Sequence, residues 1–228
     1  MKHALITGAY RGIGLEAARQ IAKEGFHVWI AARKTEEGEN AAKQLRDEGL
    51  EATFVELDVT DEASIRSAVS TVQGHSDVLD VLVNNAAINL HGDWDVSAMP
   101  AATFREAIET NAIGPLLVTQ AFWPLLQKAE SPRVVNVSSG AGRLYDMGAE
   151  MPAYGPTKTL LNALTRQFAG LGEHVSVNSI CPGWVRTEMG GQEAPRSVEQ
   201  GAAIITKLAT MDSPPSGKYL NDEGEIGW

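Results

Sequence analysis

The sequence predicts an α/β fold, a doubly wound parallel sheet of about seven strands with helices on both faces. Apolar, strand-like runs alternate with helical patterns along the chain, which is typical of βαβ units. A glycine-rich turn at residues 7–14 follows the first run directly and opens a helical pattern. The chain has 228 residues, 43% of them apolar, which is enough to bury one sizeable core. We therefore expect one domain that spans residues 1–228.

The predicted elements follow one another in a regular order. Each expected strand is a short run rich in apolar residues, and these runs lie at residues 4–7, 27–32, 51–57, 78–84, 133–138, 175–181 and 218–220. Helical periodicity between them predicts helices at residues 12–24, 36–48, 61–73, 101–128, 153–171 and 197–210. Asp61 is the expected N-cap of the third helix, and Gly25 and Gly49 are expected to end the first two.

Two longer loops, residues 140–152 and 183–196, follow the carboxyl ends of predicted strands. Ligands bind at this edge of an open α/β sheet, so we expect both loops to line a substrate pocket. The alternative is that they are ordinary surface loops. His91 and Trp94 follow the fourth predicted strand, and a place in the same pocket or in a surface loop explains them equally well.

The charge balance excludes several classes of partner. Nineteen basic and 29 acidic residues give a net charge of −10, which would repel nucleic acid and anionic membranes. No apolar run approaches the roughly 20 residues of a membrane span. The first residues enter a predicted strand at once, so we expect no signal peptide. Cys181 is the only cysteine, so we expect no intrachain disulfide and a cytoplasmic location. The five histidines show no metal-ligand spacing, so we expect no catalytic metal.

Glycines at three positions indicate a dinucleotide site of the Rossmann type. Gly8, Gly12 and Gly14 lie between the first strand and the first helix, with the spacing T-G-x-x-x-G-x-G. Such glycines allow a tight turn and a close approach of the backbone to a pyrophosphate, which then lies at the amino end of the helix. A tight turn alone could require the same residues, but the position at the first βα turn favours nucleotide binding.

The end of the second predicted strand favours NADP(H) over NAD(H). An NAD-specific site has an acidic residue there that binds the ribose 2′-hydroxyl. This strand ends instead with Ala32 and Arg33, and a guanidinium suits a 2′-phosphate. Arg11, inside the glycine loop, is a second candidate cation. The alternative is that both arginines are solvated surface charges.

Tyr154 and Lys158 are candidates for proton transfer. They lie four residues apart, and a helix at 153–171 places them on one face. A nearby ammonium favours a phenolate, so we expect Lys158 to lower the pKa of Tyr154 below the ordinary value of about 10. A nucleotide site and a proton donor together are typical of hydride-transfer enzymes. The alternative for these two residues is a solvated helix pair. Cys181 precedes Pro182 at the end of a predicted strand, and we expect it to be a small buried packing residue and not a nucleophile, because free cysteine is commonly buried.

In order along the chain, these and further motifs resemble the short-chain dehydrogenase/reductase family. Residues 7–14 are similar to its nucleotide loop, with Tyr10 where a small polar residue is usual and with Arg11 and Ile13 beside the glycines. The resemblance implies that Asp58 and Val59 bind adenine, that Asn85 and Ala86 line the cofactor site, and that Asn111 belongs to the catalytic set. It also implies that Ser139, with Ser138 as the alternative, is the catalytic serine, and that the nicotinamide end contacts Pro182, Gly183, Val185 and Thr187.

The resemblance covers nearly the whole chain and implies an NADPH-dependent, carbonyl-reductase-like enzyme. Its catalytic residues are Asn111, Ser139, Tyr154 and Lys158, and Tyr154 and Lys158 also bind the cofactor. Ser139 would bind the substrate oxygen, Lys158 the ribose hydroxyls, and Asn111 would support a water relay. The implied partners are a small carbonyl or alcohol substrate and further copies of the chain in a homodimer or homotetramer. A 3-oxoacyl-thioester reductase and a non-catalytic NADP(H) sensor are the alternatives.

Overall fold

The strands of the sheet are short apolar runs, and the central ones are buried along their whole length. A computed structural model describes residues 1–90, 95–172 and 174–228. Its strands are β1 Lys2–Thr7, β2 Phe26–Ala32, β3 Ala52–Glu56, β4 Val81–Asn84, β5 Arg133–Val137, β6 Ser176–Ile180, β7 Tyr219–Asn221 and β8 Gly224–Glu225. They form one sheet in the order β3-β2-β1-β4-β5-β6-β7-β8, parallel except for β8.

The helices cover both faces of this sheet, and the predicted doubly wound, Rossmann-type fold is confirmed. They are α1 Gly12–Lys23, α2 Thr35–Asp47, α3 Glu62–Gln73, α4 Ala101–Ile108, α5 Gly114–Leu126, α6 Gly155–Ala169 and α7 Val198–Thr210. Buried residues of α1, α2 and α7 form one apolar cluster with the sheet. Residues of α3 and α5 form a second cluster on the opposite face. The eighth strand was not predicted, because its two residues, Gly224 and Glu225, carry no apolar pattern.

Local signals at the helix ends agree with the structure. The Asp61 side chain accepts a hydrogen bond from the Ala63 N–H at 2.8 Å and caps α3. Gly25 and Gly49 follow α1 and α2 with φ angles of 85° and 79°, a conformation that suits glycine. Helix α6 begins at Gly155, two residues later than predicted, and Pro156 occupies its first turn. Tyr154 is therefore the residue that caps this helix and not one within it.

The predicted single helix at 101–128 is wrong in one respect. A π-helical turn at Glu109–Ile113 separates α4 from α5. Pro115 lacks an N–H, so it cannot donate to the carbonyl four residues earlier, and the regular bonding pattern is lost beside it. Asn111 lies in this turn, and π-turns are frequent at functional sites. The wider turn thus separates the helix into two regular parts.

The sheet order determines where a ligand can bind. Strands β1 and β4 are neighbours although α1, β2, α2, β3 and α3 lie between them in the chain. The connections therefore leave in opposite directions from this pair and open a crevice at the carboxyl ends. Among the helices formed by the residues that the structure describes, none combines the length and the apolar character needed to span a membrane.

Candidate active site

A pocket of about 900 Å³ lies at the carboxyl ends of the strands, on both sides of the β1–β4 crevice. Every residue that the sequence predicted to hold the cofactor lines this pocket: Gly8, Tyr10, Arg11, Gly12, Ile13, Gly14, Arg33, Asp58, Val59, Asn85, Ala86, Tyr154, Lys158, Pro182, Gly183, Val185 and Thr187. Ser139 lines it as well. Residues from both predicted pocket loops take part, among them Met151 and Trp184. His91 and Trp94 lie outside the described residues.

The glycine turn is packed too closely to accept side chains. A Cβ on Gly14 would lie 2.5 Å from Nδ2 of Asn85 and 2.8 Å from the carbonyl oxygen of Gly8. The Thr7 hydroxyl accepts hydrogen bonds from the N–H groups of Asn85 and Ala86, both at 3.0 Å, so β1 is tied to the segment after β4. Within the described ranges, no side chain caps the amino end of α1. Its first N–H groups therefore face the pocket without a protein partner, which fits a bound phosphate.

The two predicted arginines differ in their surroundings. Arg33 follows β2, is exposed, and forms no ion pair with any other described residue. Arg11 pairs with Glu188 from the 183–196 loop, and its guanidinium lies 5.0 Å from the centre of the Tyr10 ring. Cation–π contact of this kind holds a guanidinium in place. Tyr10, the unusual residue of the loop, thus supports Arg11 at the pocket wall.

Lys158 and Tyr154 lie at the base of the pocket. The Lys158 side chain is buried, with 2% of the residue exposed, and its Nζ donates to the carbonyl oxygen of Val137 at 2.8 Å. The same nitrogen lies 5.4 Å from the centre of the Tyr154 ring. This arrangement puts a buried amine beside a phenol that is itself partly exposed to the pocket.

Burial shifts the pKa values of both groups toward their neutral forms. Loss of solvation lowers the pKa of Lys158 to about 7. Loss of solvation also raises the pKa of Tyr154 above its ordinary value, and a hydrogen bond with Ser139 offsets part of the rise. The expected lowering of the Tyr154 pKa by Lys158 is therefore wrong for the cofactor-free protein. The physical reason is that burial disfavours both charged forms, so an ammonium that itself loses its proton near neutrality stabilises a phenolate weakly.

Two adjacent serines precede the 3-10 turn Gly140–Gly142, and both line the pocket. Ser138 is 2% exposed, and its hydroxyl is directed at the carbonyl oxygen of Lys158 at 3.4 Å. Ser139 is half-buried and its Oγ accepts a hydrogen bond from the Ala141 N–H at 3.2 Å. The hydroxyl proton of Ser139 is free to point into the pocket, so the geometry favours Ser139 over Ser138.

Asn111 lies behind the pocket wall. It is fully buried, and its amide oxygen accepts from the Ile88 N–H at 2.8 Å. Its amide nitrogen donates to the Ile88 carbonyl oxygen at 2.8 Å and to the Thr157 hydroxyl at 3.1 Å. The structure therefore brings together Ser139, Tyr154 and Lys158 at the pocket, while Asn111 joins the segment after β4 to α6.

Several pocket residues lie in or beside the two predicted pocket loops but were not singled out from the sequence, because no motif marks them. Met151, Trp184 and Met189 form an apolar rim, and Met151 has a φ of 56°, which is rare for a residue with a side chain. Cys181 also lines the pocket, where its Sγ accepts from the Gly140 N–H at 3.1 Å. The prediction that Cys181 is buried packing is wrong, because the residue is only half-buried. Large apolar residues inside a predicted loop, such as Trp184, were the available signal.

The described residues contain no cluster of three or more histidine, cysteine or carboxylate side chains that could hold a metal ion. Near the base of the pocket, the lining offers the hydroxyl of Ser139, the phenol of Tyr154 and the amine of Lys158, and the glycine turn offers N–H groups. Such a set can hold a phosphate-bearing cofactor and can move a proton at a substrate oxygen.

Comparisons with known proteins agree with this fold and pocket. The profile of the family described as short chain dehydrogenase matches residues 2–197. The chain belongs to this family of oxidoreductases. A short-chain dehydrogenase named anuI from Penicillium roqueforti is 35% identical over 249 residues, which cover 98% of this chain and 96% of that protein. Carbonyl reductase (NADPH) 1 of Sus scrofa is 32% identical over 274 residues, covering 99% and 93%.

Among solved structures, an NADPH-bound carbonyl reductase from chicken fatty liver is similar throughout. It is 30% identical, superposes with a TM-score of 0.89, and the match covers 100% of this chain and 99% of that one. The pig and chicken proteins are both carbonyl reductases, and the names of both include NADPH.

Proposed function

We propose that this protein is an NADP(H)-dependent carbonyl reductase that reduces ketones or aldehydes and oxidises the matching alcohols in reverse. The observation that carries the proposal is that Ser139, Tyr154 and Lys158 share one pocket with the glycine turn and with Arg33. The similarity to carbonyl reductases from pig and chicken supports it. We also propose that residues 1–228 act as one domain in the cytoplasm, where the Cys181 thiol stays reduced.

The residues of the pocket fit NADP(H). The free N–H groups of the first turn of α1 suit its pyrophosphate, and Asp58 and Val59 suit the adenine ring. Arg33, with Arg11 beside it, suits the 2′-phosphate, because a guanidinium binds phosphate through two parallel hydrogen bonds. Lys158 suits the ribose hydroxyls, and residues 182–187 the nicotinamide end. When bound, the cofactor supplies or accepts the hydride.

The side chains at the base of the pocket supply the proton chemistry. The Ser139 hydroxyl holds the substrate carbonyl oxygen by a hydrogen bond, which stabilises the negative charge that develops there. Tyr154, whose pKa burial raises, is neutral at neutral pH and donates its proton to the same oxygen. Lys158, with a pKa of about 7, is able to return a proton to Tyr154 after turnover. A neutral phenol at neutral pH is the form that carbonyl reduction requires, because it is the form that can donate a proton.

We further propose that two copies of the chain pair through α5 and α6. Helix α5 contains no charged residue, which is unusual in a protein with a net charge of −10. On α6, Leu160 is 40% exposed, and Phe168 packs beside Trp123 of α5 with ring centres 5.4 Å apart. The long helices after β4 and β5 commonly pair in this family, so we expect a second copy of the chain to cover the surface formed by α5 and α6.

The test of the proposed chemistry is to follow NADPH absorbance with a panel of ketones and aldehydes and the variant Tyr154→Phe. Phe keeps the ring and removes the proton, so turnover should fall by about 10²–10⁴-fold, the usual size of general acid catalysis. Binding of NADPH should change little. The matched control is Tyr145→Phe, at an exposed tyrosine that does not line the pocket, and it should keep its activity. NADPH binding without consumption by any compound would favour a sensor instead.

A further inference from the structure

A second tyrosine, Tyr219, contacts the backbone of Ser139 without lining the pocket. Tyr219, on β7, is fully buried, and its hydroxyl donates to the main-chain carbonyl oxygen of Ser139 at 2.6 Å. The two residues are 80 positions apart in the chain. Tyr219 does not line the pocket, so it has no access to a substrate or cofactor there. A short, buried hydrogen bond to a residue of the site therefore needs another explanation.

The backbone around Ser139 is fixed by a small number of contacts. The Ser138 N–H donates to the Ile180 carbonyl oxygen at 2.8 Å, and the Gly140 N–H donates to Sγ of Cys181 at 3.1 Å. The Ser139 carbonyl oxygen also accepts from the Gly142 N–H at 2.8 Å. Tyr219 adds a side-chain donor to the Ser139 carbonyl oxygen, beside the Gly142 N–H, and so helps to fix the direction of the Ser139 peptide as the chain leaves β5 and enters the 3-10 turn.

The ring of Tyr219 is itself held in place. The Trp228 ring stacks on it with centres 5.5 Å apart and planes inclined by 26°. The Ile226 N–H donates to the Tyr219 carbonyl oxygen at 2.8 Å. The Arg166 guanidinium lies 5.7 Å from the centre of the Trp228 ring, on the α6 side. The segment after β7 therefore holds the Tyr219 ring in contact with the turn that begins at Ser139.

We propose that Tyr219 is a positioning residue that orients Ser139 for catalysis. By fixing the Ser139 carbonyl, Tyr219 fixes the rotation of that peptide and hence the direction in which the Oγ of Ser139 meets the substrate oxygen. The inference rests on the proposed function, in which Ser139 binds that oxygen. A displacement of about 1 Å at a catalytic group can lower a rate about 10²-fold, so loss of one orienting bond has a measurable effect.

The hydroxyl of Tyr219 remains a donor at all ordinary pH values. Burial raises the pKa of Tyr219, and the groups that face it are Ser138, Cys181 and Arg143. Loss of the Tyr219 hydroxyl should therefore lower kcat by the same factor at every pH. The shape of the pH profile should stay unchanged. A group that takes part in proton transfer would instead alter that shape.

The test is a double-mutant cycle on turnover with Tyr219→Phe and Ser139→Ala. Phe keeps the ring and its stack on Trp228 and removes only the hydroxyl. We expect Tyr219→Phe to lower kcat about tenfold, less than the roughly 10²–10³-fold typical of losing a donor to a developing oxyanion. The Kd for NADPH and the shape of the pH profile should stay as in the wild type. In the Ser139→Ala background, Tyr219→Phe should lower kcat by less than about twofold, because residues that act as a unit are not additive.

Each outcome of the cycle decides a separate question. Equal losses from Tyr219→Phe in both backgrounds, or no loss in either, would overturn the inference and leave the proposed function intact. An unchanged kcat in Ser139→Ala would instead show that the proposed role of Ser139 is wrong. If Tyr219→Phe does not fold, Trp228→Leu takes its place, since it removes the stack and keeps the hydroxyl. It should give a smaller loss with the same dependence on Ser139, and Tyr145→Phe again serves as the control.

Discussion

At the scale of single residues, burial of the Lys158 amine in the pocket lowers the stability of the folded protein. Its amine is buried, and its pKa is lowered from 10.5 to about 7. Between these two values the unfolded chain holds a proton that the folded chain has lost, so stability rises with pH across this window. Below pH 7 both states are protonated, and the full cost of burying the charge opposes folding. Above 10.5 both are neutral, and this cost is gone.

Replacing Lys158 by Met should therefore stabilise the cofactor-free protein while removing its activity. The pKa shift corresponds to about 5 kcal/mol at about 1.4 kcal/mol per unit. The loss of the hydrogen bond from Lys158 to the buried Val137 carbonyl offsets part of this, so we expect the free energy of unfolding to rise by about 2–4 kcal/mol near pH 6. The gain should shrink steadily toward pH 10. Urea denaturation of both proteins at several pH values measures it. The control is Lys128→Met, at a lysine with 51% side-chain exposure, which should change stability by less than about 0.5 kcal/mol. Equal or lower stability of Lys158→Met at low pH would contradict this account.

The residues of the site were predictable from the sequence to very different degrees. The spacing of Tyr154 and Lys158 predicts that they lie together, and Lys158 Nζ is 5.4 Å from the Tyr154 ring centre. The direction of the Tyr154 pKa shift was not predictable, since it depends on burial by distant parts of the chain. The same holds for Tyr219, which meets Ser139 only because β7 pairs with β6. Spacing indicates neighbours along one element, but contacts between elements come from the whole fold.

At the scale of elements, the end of β2 determines which cofactor the pocket suits. Arg33 follows the last residue of β2 and lines the pocket, whereas the next residue, Lys34, does not line it and pairs with Glu37 at 2.9 Å. Alternation along an extended chain explains this difference, because adjacent side chains point to opposite sides. The two cations therefore provide a matched pair, one beside the expected 2′-phosphate and one turned away from it.

Arg33→Asp should weaken NADPH binding by about 10–100-fold, the size expected for one or two charge-assisted hydrogen bonds to a phosphate. An aspartate at this position can bind a 2′-hydroxyl, so the affinity for NADH should hold or improve. Lys34→Asp makes the same change in charge and should leave the ratio of the two affinities within about twofold, because a charge turned away from the site is largely screened. Calorimetric titration with both cofactors measures these ratios. Equal affinities of the unmodified protein for NADPH and NADH would refute the preference itself.

The elements themselves were predicted where a local signal was strong. The first seven strands, the glycine turn and the Asp61 cap follow from apolar runs, glycine positions and a capping residue. The π-turn at Glu109–Ile113 was missed although Pro115 lies beside it, because a proline alone does not show how a helix will be interrupted. The side-chain bonds between Asn111 and the residues Ile88 and Thr157 also involve other segments. The positive φ of Met151 was not predicted either, although the bonds that accompany it are local: the N–H groups of Tyr154 and Gly155 both donate to its carbonyl oxygen.

At the scale of the whole molecule, the distribution of charge decides which surface can meet a second copy. Two chains that each carry a net charge of −10 repel one another, so pairing requires a surface with few charges. Helices α5 and α6 provide one, because α5 has no charged residue and α6 has two, Lys158, which is buried, and Arg166, which is exposed. A pair related by a two-fold axis would bring the same face of each chain together.

Light scattering coupled to size exclusion should therefore give a mass of twice the 24.4 kDa chain or a multiple of it. Leu160→Glu, on the outer face of α6, should shift the protein toward the single chain, because two identical carboxylates would be buried near one another across the axis. Leu144→Glu is the matched control, at a leucine that is 66% exposed and lies outside both helices, and it should leave the mass unchanged. A single-chain mass for the unmodified protein at micromolar concentration would contradict the pairing without affecting the proposed chemistry, since the pocket is lined by residues of one chain.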